Sequence, residues 1–69
     1  MDLGQIIKEI RIERGLTQEQ LAKKMGYSSR QAICKVERGK ENITINRIEK
    51  FAEALNVSLS YILDYKGGK

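Results

Sequence analysis

Arg30, Gln31 and Lys35 are the residues of this sequence whose types and spacing could do chemistry. Arg and Gln can each place two hydrogen bonds on the base edges exposed in a DNA major groove, and Lys can reach guanine acceptors. They fall on a short segment in which Ile33 and Val36 are the apolar residues. With those two turned inward, Arg30, Gln31, Cys34 and Lys35 share the outer face of one helix. An Arg at a helix N-terminus opposes the macrodipole and is mildly unfavourable for stability alone, which favours a ligand-directed role.

The elements that must position this face are legible from their punctuation. Asp2 precedes a stripe of Leu3, Ile6, Ile7 and Ile10 that closes at Gly15. Thr17 with Gln20 forms a capping box for a helix carrying Leu21, Ala22 and Met25, stopped by Gly26. Ser28 or Ser29 starts the third helix, about 29–37, which ends at Gly39. Thr44 opens a fourth with Ile45, Ile48, Phe51, Ala52 and Leu55 at helical spacing, closed by Asn56. Ser58 opens a short fifth with Leu59, Ile62 and Leu63. No segment alternates with period two for long, so the expected fold is all-α: five short helices around one core. Helices two and three, joined tightly at Gly26, form a helix-turn-helix. The domain is expected over 1–65, with 66–69 a frayed tail.

Charge and composition narrow the function. Between Lys8 and Lys40 stand nine basic and four acidic residues, net +5, whereas Glu41 to Asp64 is net −2. A polyanion-binding face in the first half accounts for that division. Histidine is absent and there is one cysteine, so a Cys/His zinc site cannot be assembled in one chain and the commonest general base is missing. No nucleotide-binding fingerprint occurs. An enzyme is therefore not expected, nor a cofactor, a metal or a small-molecule ligand. No apolar run approaches a membrane span, no signal pattern opens the chain, and the lone cysteine fits a reducing compartment, so a cytoplasmic location is expected.

The run Leu16-Thr-Gln-Glu-Gln-Leu-Ala-Lys-Lys-Met-Gly26, followed by Val36-Glu-Arg-Gly-Lys40, resembles the phage repressor and Cro-type (Xre-like) helix-turn-helix family. Ile10-Arg-Ile-Glu-Arg-Gly15 and Phe51-Ala-Glu-Ala-Leu-Asn-Val-Ser58 extend the resemblance to roughly residues 3–63. It implies the lambda-repressor-like five-helix fold and a homodimer on double-stranded operator DNA, most often as a repressor, with helix three in the major groove. One departure stands out: between Gly26 and Glu37 there is one residue more than in the commonest members, placed here in the Tyr27-Ser28-Ser29 turn. The first groove-facing residue is open by one position for that reason.

On that resemblance Arg30, Gln31 and Lys35 read bases, with Lys35 alternatively on a phosphate. Gln18 meets a phosphate and braces the recognition helix; otherwise it is simply a polar helix start. Thr17 is a cap whose helix N-terminus can point at a phosphate. Ser29 caps helix three and can also touch the DNA backbone, with Ser28 a further candidate contact. Arg38, Lys40 and Asn42 lie on the loop expected along the phosphates. Tyr27 either donates to a phosphate or packs over the turn. Cys34 is either a redox-sensitive thiol beside Lys35 and Arg38 or a small residue at the groove edge. Arg11 and Glu37 are expected to form a partly buried ion pair joining helices one and three. Leu59, Tyr61 and Tyr65 form the dimer contact or else close the monomer core. So short a chain must bury most of its apolar residues internally, so the dimer is expected to be weak without DNA. A repressor is the leading reading. The alternatives are a restriction-modification controller, or an antitoxin or adaptor module whose partner is another protein; the latter is disfavoured because only Lys66 to Lys69 follow the fifth helix.

Overall fold

A computed structural model describes residues 2–66. It contains five helices: α1 (Leu3–Glu13), α2 (Gln18–Met25), α3 (Gln31–Glu37), α4 (Ile45–Leu55) and α5 (Leu59–Leu63). Four begin on a residue whose side-chain oxygen accepts an otherwise orphaned N–H of the first turn: Asp2, Thr17, Thr44 and Ser58. Thr17 and Gln20 complete the reciprocal capping box. Of the tail expected at 66–69, Lys66 is exposed and 67–69 lie outside the described residues.

α3 departs from expectation. It begins at Gln31 rather than near residue 29, and the N-cap position belongs to Arg30, whose side chain makes no capping bond. The residues before it form a bend, and Arg30 already has helical φ and ψ of −71° and −10°. Ser29 therefore sits one place too early to be the cap, although its hydroxyl still accepts the Gln31 N–H at 3.3 Å. Arg30 and Gln31 therefore occupy the entry to the helix.

The core consists of Ile7, Ile10, Leu21, Ala22, Ile33, Val36, Ile48, Phe51, Ala52, Leu55 and Ile62. Every helix contributes, with α3 resting on α1 and α2, and α4 on α1, α2 and α5. Two apolar residues expected on inner faces are exposed: Ile45 at the entry to α4 and Leu63 at the end of α5. Both occupy terminal turns, where the chain leaves the core before the side chain can be covered.

Two glycines fix the approach of α3. Gly26 ends α2 in the left-handed conformation at φ +80°, which turns the chain sharply towards α3. Gly4, in the first turn of α1, is needed for space: a Cβ there would collide with the Val36 carbonyl oxygen. The backbone of α1 thus lies directly against the last turn of α3.

Candidate nucleic-acid interface

α3 divides cleanly. Ile33 and Val36 are fully buried, while Arg30, Gln31 and Lys35 are exposed and Cys34 is half-buried between the two faces. Two shallow hollows flank Gln31. One, of about 300 Å³, is bounded by Glu19, Lys23, Tyr27, Ser28, Ser29 and Arg30. The other, of about 400 Å³, is bounded by Cys34, Lys35, Arg38, Lys40 and Glu41. The residues expected to read bases are therefore contiguous, with Arg38 and Lys40 at their edge. Asn42 is exposed but lines a different hollow, beside Asp2, Leu3 and Gly39.

The C-terminal end of α3 is held by a polar cluster with little access to water. Arg11 Nε donates to Glu37 Oε2 at 2.6 Å, and Nη2 donates to Glu37 Oε1 at 3.2 Å. The two side chains are only 10% and 4% exposed. Arg11 Nη1 donates to the Leu16 carbonyl at 2.8 Å, which ties the α1–α2 link into the same cluster. Gln18 Nε2 donates to Glu37 Oε1 at 3.0 Å, and Gln18 Oε1 accepts from Arg30 Nη1 at 3.4 Å. One chain of contacts thus runs from α1 through Glu37 and Gln18 to the leading side chain of the outer face. Each buried polar atom in it has a partner, as low-dielectric burial requires.

Tyr27 takes the packing role of its two expected ones, and its hydroxyl is engaged within the protein. Its ring packs against the core, and its hydroxyl accepts from Arg47 Nη2 at 2.6 Å. The Arg47 guanidinium carbon lies 5.7 Å from the centre of that ring, within cation–π range. Arg47 Nη1 also donates to Glu41 Oε1 at 3.1 Å. That Glu41 bond, opposed in part by burial, holds the guanidinium still more firmly protonated than usual. Sequence reasoning missed Arg47, because nothing local marks a residue in the first turn of α4 as the partner of a tyrosine twenty positions earlier.

The residues expected at a dimer contact separate. Leu59 and Tyr65 are partly buried against the core of their own chain, whereas Tyr61 is 44% exposed. The Tyr61 and Tyr65 rings lie 5.8 Å apart, and both hydroxyls donate to Glu13 of α1, at 3.0 Å to Oε1 and 2.5 Å to Oε2. These bonds, largest among the causes, push both phenols above their ordinary pKa. The apolar residues most exposed on the tethered helices are Ile12, which periodicity did not single out, and Leu63, which it placed inward. Among the described residues, no group of His, Cys, Asp and Glu could hold a metal ion, and no helix is long and apolar enough to cross a membrane.

Comparison with known proteins agrees with this geometry. The helix-turn-helix family model matches residues 7–62. The immunity repressor protein of Bacillus phage phi105 is 43% identical over 63 residues, which is 91% of this chain and 43% of that protein. The chain therefore spans less than half the length of that repressor. The restriction-modification controller protein C.AhdI of Aeromonas hydrophila is 37% identical, with 87% of this chain and 86% of that one covered and a TM-score of 0.79. The controller protein C.Esp1396I is also 37% identical, with 90% and 79% covered and a TM-score of 0.80. By sequence and by fold, this chain belongs to the helix-turn-helix family, among the transcriptional regulators of the phage repressor and Cro (Xre-like) type.

Proposed function

We propose that this protein is a sequence-specific DNA-binding regulator of the restriction-modification controller kind, acting as a homodimer on an inverted repeat. The observation that carries the DNA-reading role is the outer face of α3. Arg30, Gln31 and Lys35 stand exposed together on a helix whose opposite side, Ile33 and Val36, is locked into the core. A helix so held can enter a major groove with its N-terminal residues towards base edges. Thr17, Gln18, Ser29, Arg38 and Lys40 surround that face and meet phosphates, with Tyr27, Ser28 and Cys34 at its margin and Asn42 at its far edge. Such contacts orient the domain and supply salt-dependent affinity.

Sequence alone ranks a repressor of phage type first and a controller second. The comparisons favour the reverse order, because the controllers are matched over most of their length and the phage repressor over less than half. The regulator works where DNA is, in the cytoplasm. Tyr61, the exposed member of the residues expected at the dimer contact, joins two copies, and so little exposed apolar surface makes the dimer weak until DNA holds both halves.

Selection of binding sites from a random DNA pool tests this directly. An inverted repeat with half-sites about 34 Å apart is expected. Affinity for it should fall steeply with salt, by roughly 10³–10⁵-fold between 50 and 200 mM if six to ten phosphates are neutralised. A pool without enrichment, or a salt-independent affinity, overturns the proposal. Recovery of the selected site upstream of restriction-modification genes would mark the controller role; a site elsewhere returns the repressor reading to first place.

A further inference from the structure

A helix of two turns has little stability of its own and takes its orientation from what grips it. The last turn of α3 is gripped by Arg11 through Glu37. Its entry is held more loosely: the cap position carries Arg30 without a capping bond, Arg30 reaches Gln18 only at 3.4 Å, and Ser29 makes one long contact. Yet the segments on both sides of α3 converge on a single side chain. Tyr27 precedes the helix, Glu41 follows it, and both bond the guanidinium of Arg47. Arg47 projects from the first turn of α4, the helix whose Ile48, Phe51, Ala52 and Leu55 are buried, so it stands on a rigid platform.

We propose that Arg47 is a positioning residue for DNA reading, clamping the turn before the recognition helix and the loop after it to the same point on α4. The geometry requires a guanidinium. Separate nitrogens serve Tyr27 and Glu41 while the plane lies near the tyrosine ring; an ammonium, whose three donors share one nitrogen, would have to draw both acceptors to a single point. The clamp has an electrostatic consequence as well. Glu41 shares a hollow with Lys35, Arg38 and Lys40, on the face that must accept phosphates. Arg47 neutralises that carboxylate where it would otherwise repel the DNA backbone.

The DNA half of this inference rests on the DNA-reading function proposed above, so the test has one arm without DNA. In the free protein, Arg47→Gln should accelerate amide exchange in 27–31 and 40–44 together while leaving α1 unchanged. Acceleration in only one of the two segments, or in neither, overturns the clamp. In the second arm, Arg47→Gln should lower the preference for selected over random DNA by roughly tenfold, the scale of one lost charge-assisted contact. Arg47→Lys should fail to restore it, because charge alone is not the requirement. An undiminished preference, or full rescue by Lys, overturns the positioning role. Tyr27→Phe and Glu41→Gln each cut one link and should give partial versions of both effects even if Arg47→Gln unfolds; two silent single variants overturn the clamp. Should the wild-type chain itself prefer no sequence, the proposed function fails, and the exchange arm still decides whether the clamp exists.

Discussion

The recognition helix is held by two arginines that are chemically alike and physically opposite. Arg11, on α1, is 8% exposed and delivers three of its donors to Glu37 and the Leu16 carbonyl. Arg47, on α4, bonds Tyr27 and Glu41 in a pair whose side chains are 29% and 35% exposed. Burial removes water as the competing partner, so Arg11 and Glu37 depend on each other; at the surface, water replaces whatever Arg47 loses. The same functional group therefore serves the fold where it is buried and, in the clamp proposed above, the orientation of the segments on either side of α3.

Breaking the buried clasp should have the largest effect. Arg11→Ala leaves the Glu37 carboxylate buried without its partner, and a loss of about 3–5 kcal/mol is expected in urea unfolding. In a 69-residue domain that is a large share of total stability. Arg47→Gln should cost under about 1 kcal/mol in the same experiment, as exposed pairs generally do. Equal losses would erase the distinction between the two clasps. The double variant Arg11→Met with Glu37→Leu should lose less than Arg11→Ala, because it strands no charge.

Gly4→Ala approaches the same end of α3 from its backbone. The added methyl must displace the Val36 carbonyl or move α1 away, and overpacking of this kind costs about 1–3 kcal/mol. The strain falls on the α1–α3 contact that carries Arg11 and Glu37, so thermal unfolding should register it while the exchange of 40–44 should not lead the change. If residues 40–44 loosened first, the grip of Arg11 and that of Arg47 on α3 would not be separable.

These differences also explain what was legible in the sequence. Caps and apolar periodicity are local, so Asp2, Thr17, Thr44, Ser58 and most inward residues, Ile45 and Leu63 excepted, could be read directly. The entry to α3 could not, because the residue that closes it carries no capping side chain and the chain reaches helical angles at Arg30 before its first regular turn. The Arg11–Glu37 contact was accessible only through the family resemblance. Arg47 was invisible, since its partners lie twenty and six residues away and neither local pattern nor motif pairs them. Exposure at Ile12 and Leu63 was equally hidden: an amphipathic stripe shows which face of a helix is apolar, not where the core ends beneath it.

On the outer face of α3 the comparison can be sharpened by function rather than stability. Arg30→Ala should leave unfolding nearly unchanged, since Arg30 is exposed and its contact with Gln18 is long. It should cost about 1–3 kcal/mol of discrimination at one base position of the selected site. Lys40→Ala should instead weaken all sequences alike and reduce the salt slope by about one. Competition assays with point-substituted operators separate these outcomes. Identical profiles for the two variants would remove the division between a reading face and a phosphate-contacting edge.

The smallest effect is expected where α5 is tethered to α1, at a third surface contact. Glu13 accepts from Tyr65 and thereby raises the pKa of the phenol, so the folded chain holds that proton more tightly than the unfolded chain does. The contribution to stability is therefore complete below the unfolded phenol's pKa of about 10 and is lost as pH climbs from there through the higher folded value. Tyr65→Phe cannot titrate. Its unfolding midpoint should be slightly below that of wild type near neutrality and should fall less steeply than wild type above pH 10, with Tyr61 supplying the remaining slope. Parallel midpoint curves for the two proteins would mean that the Tyr65–Glu13 bond does not survive in water and contributes nothing to holding α5 on α1.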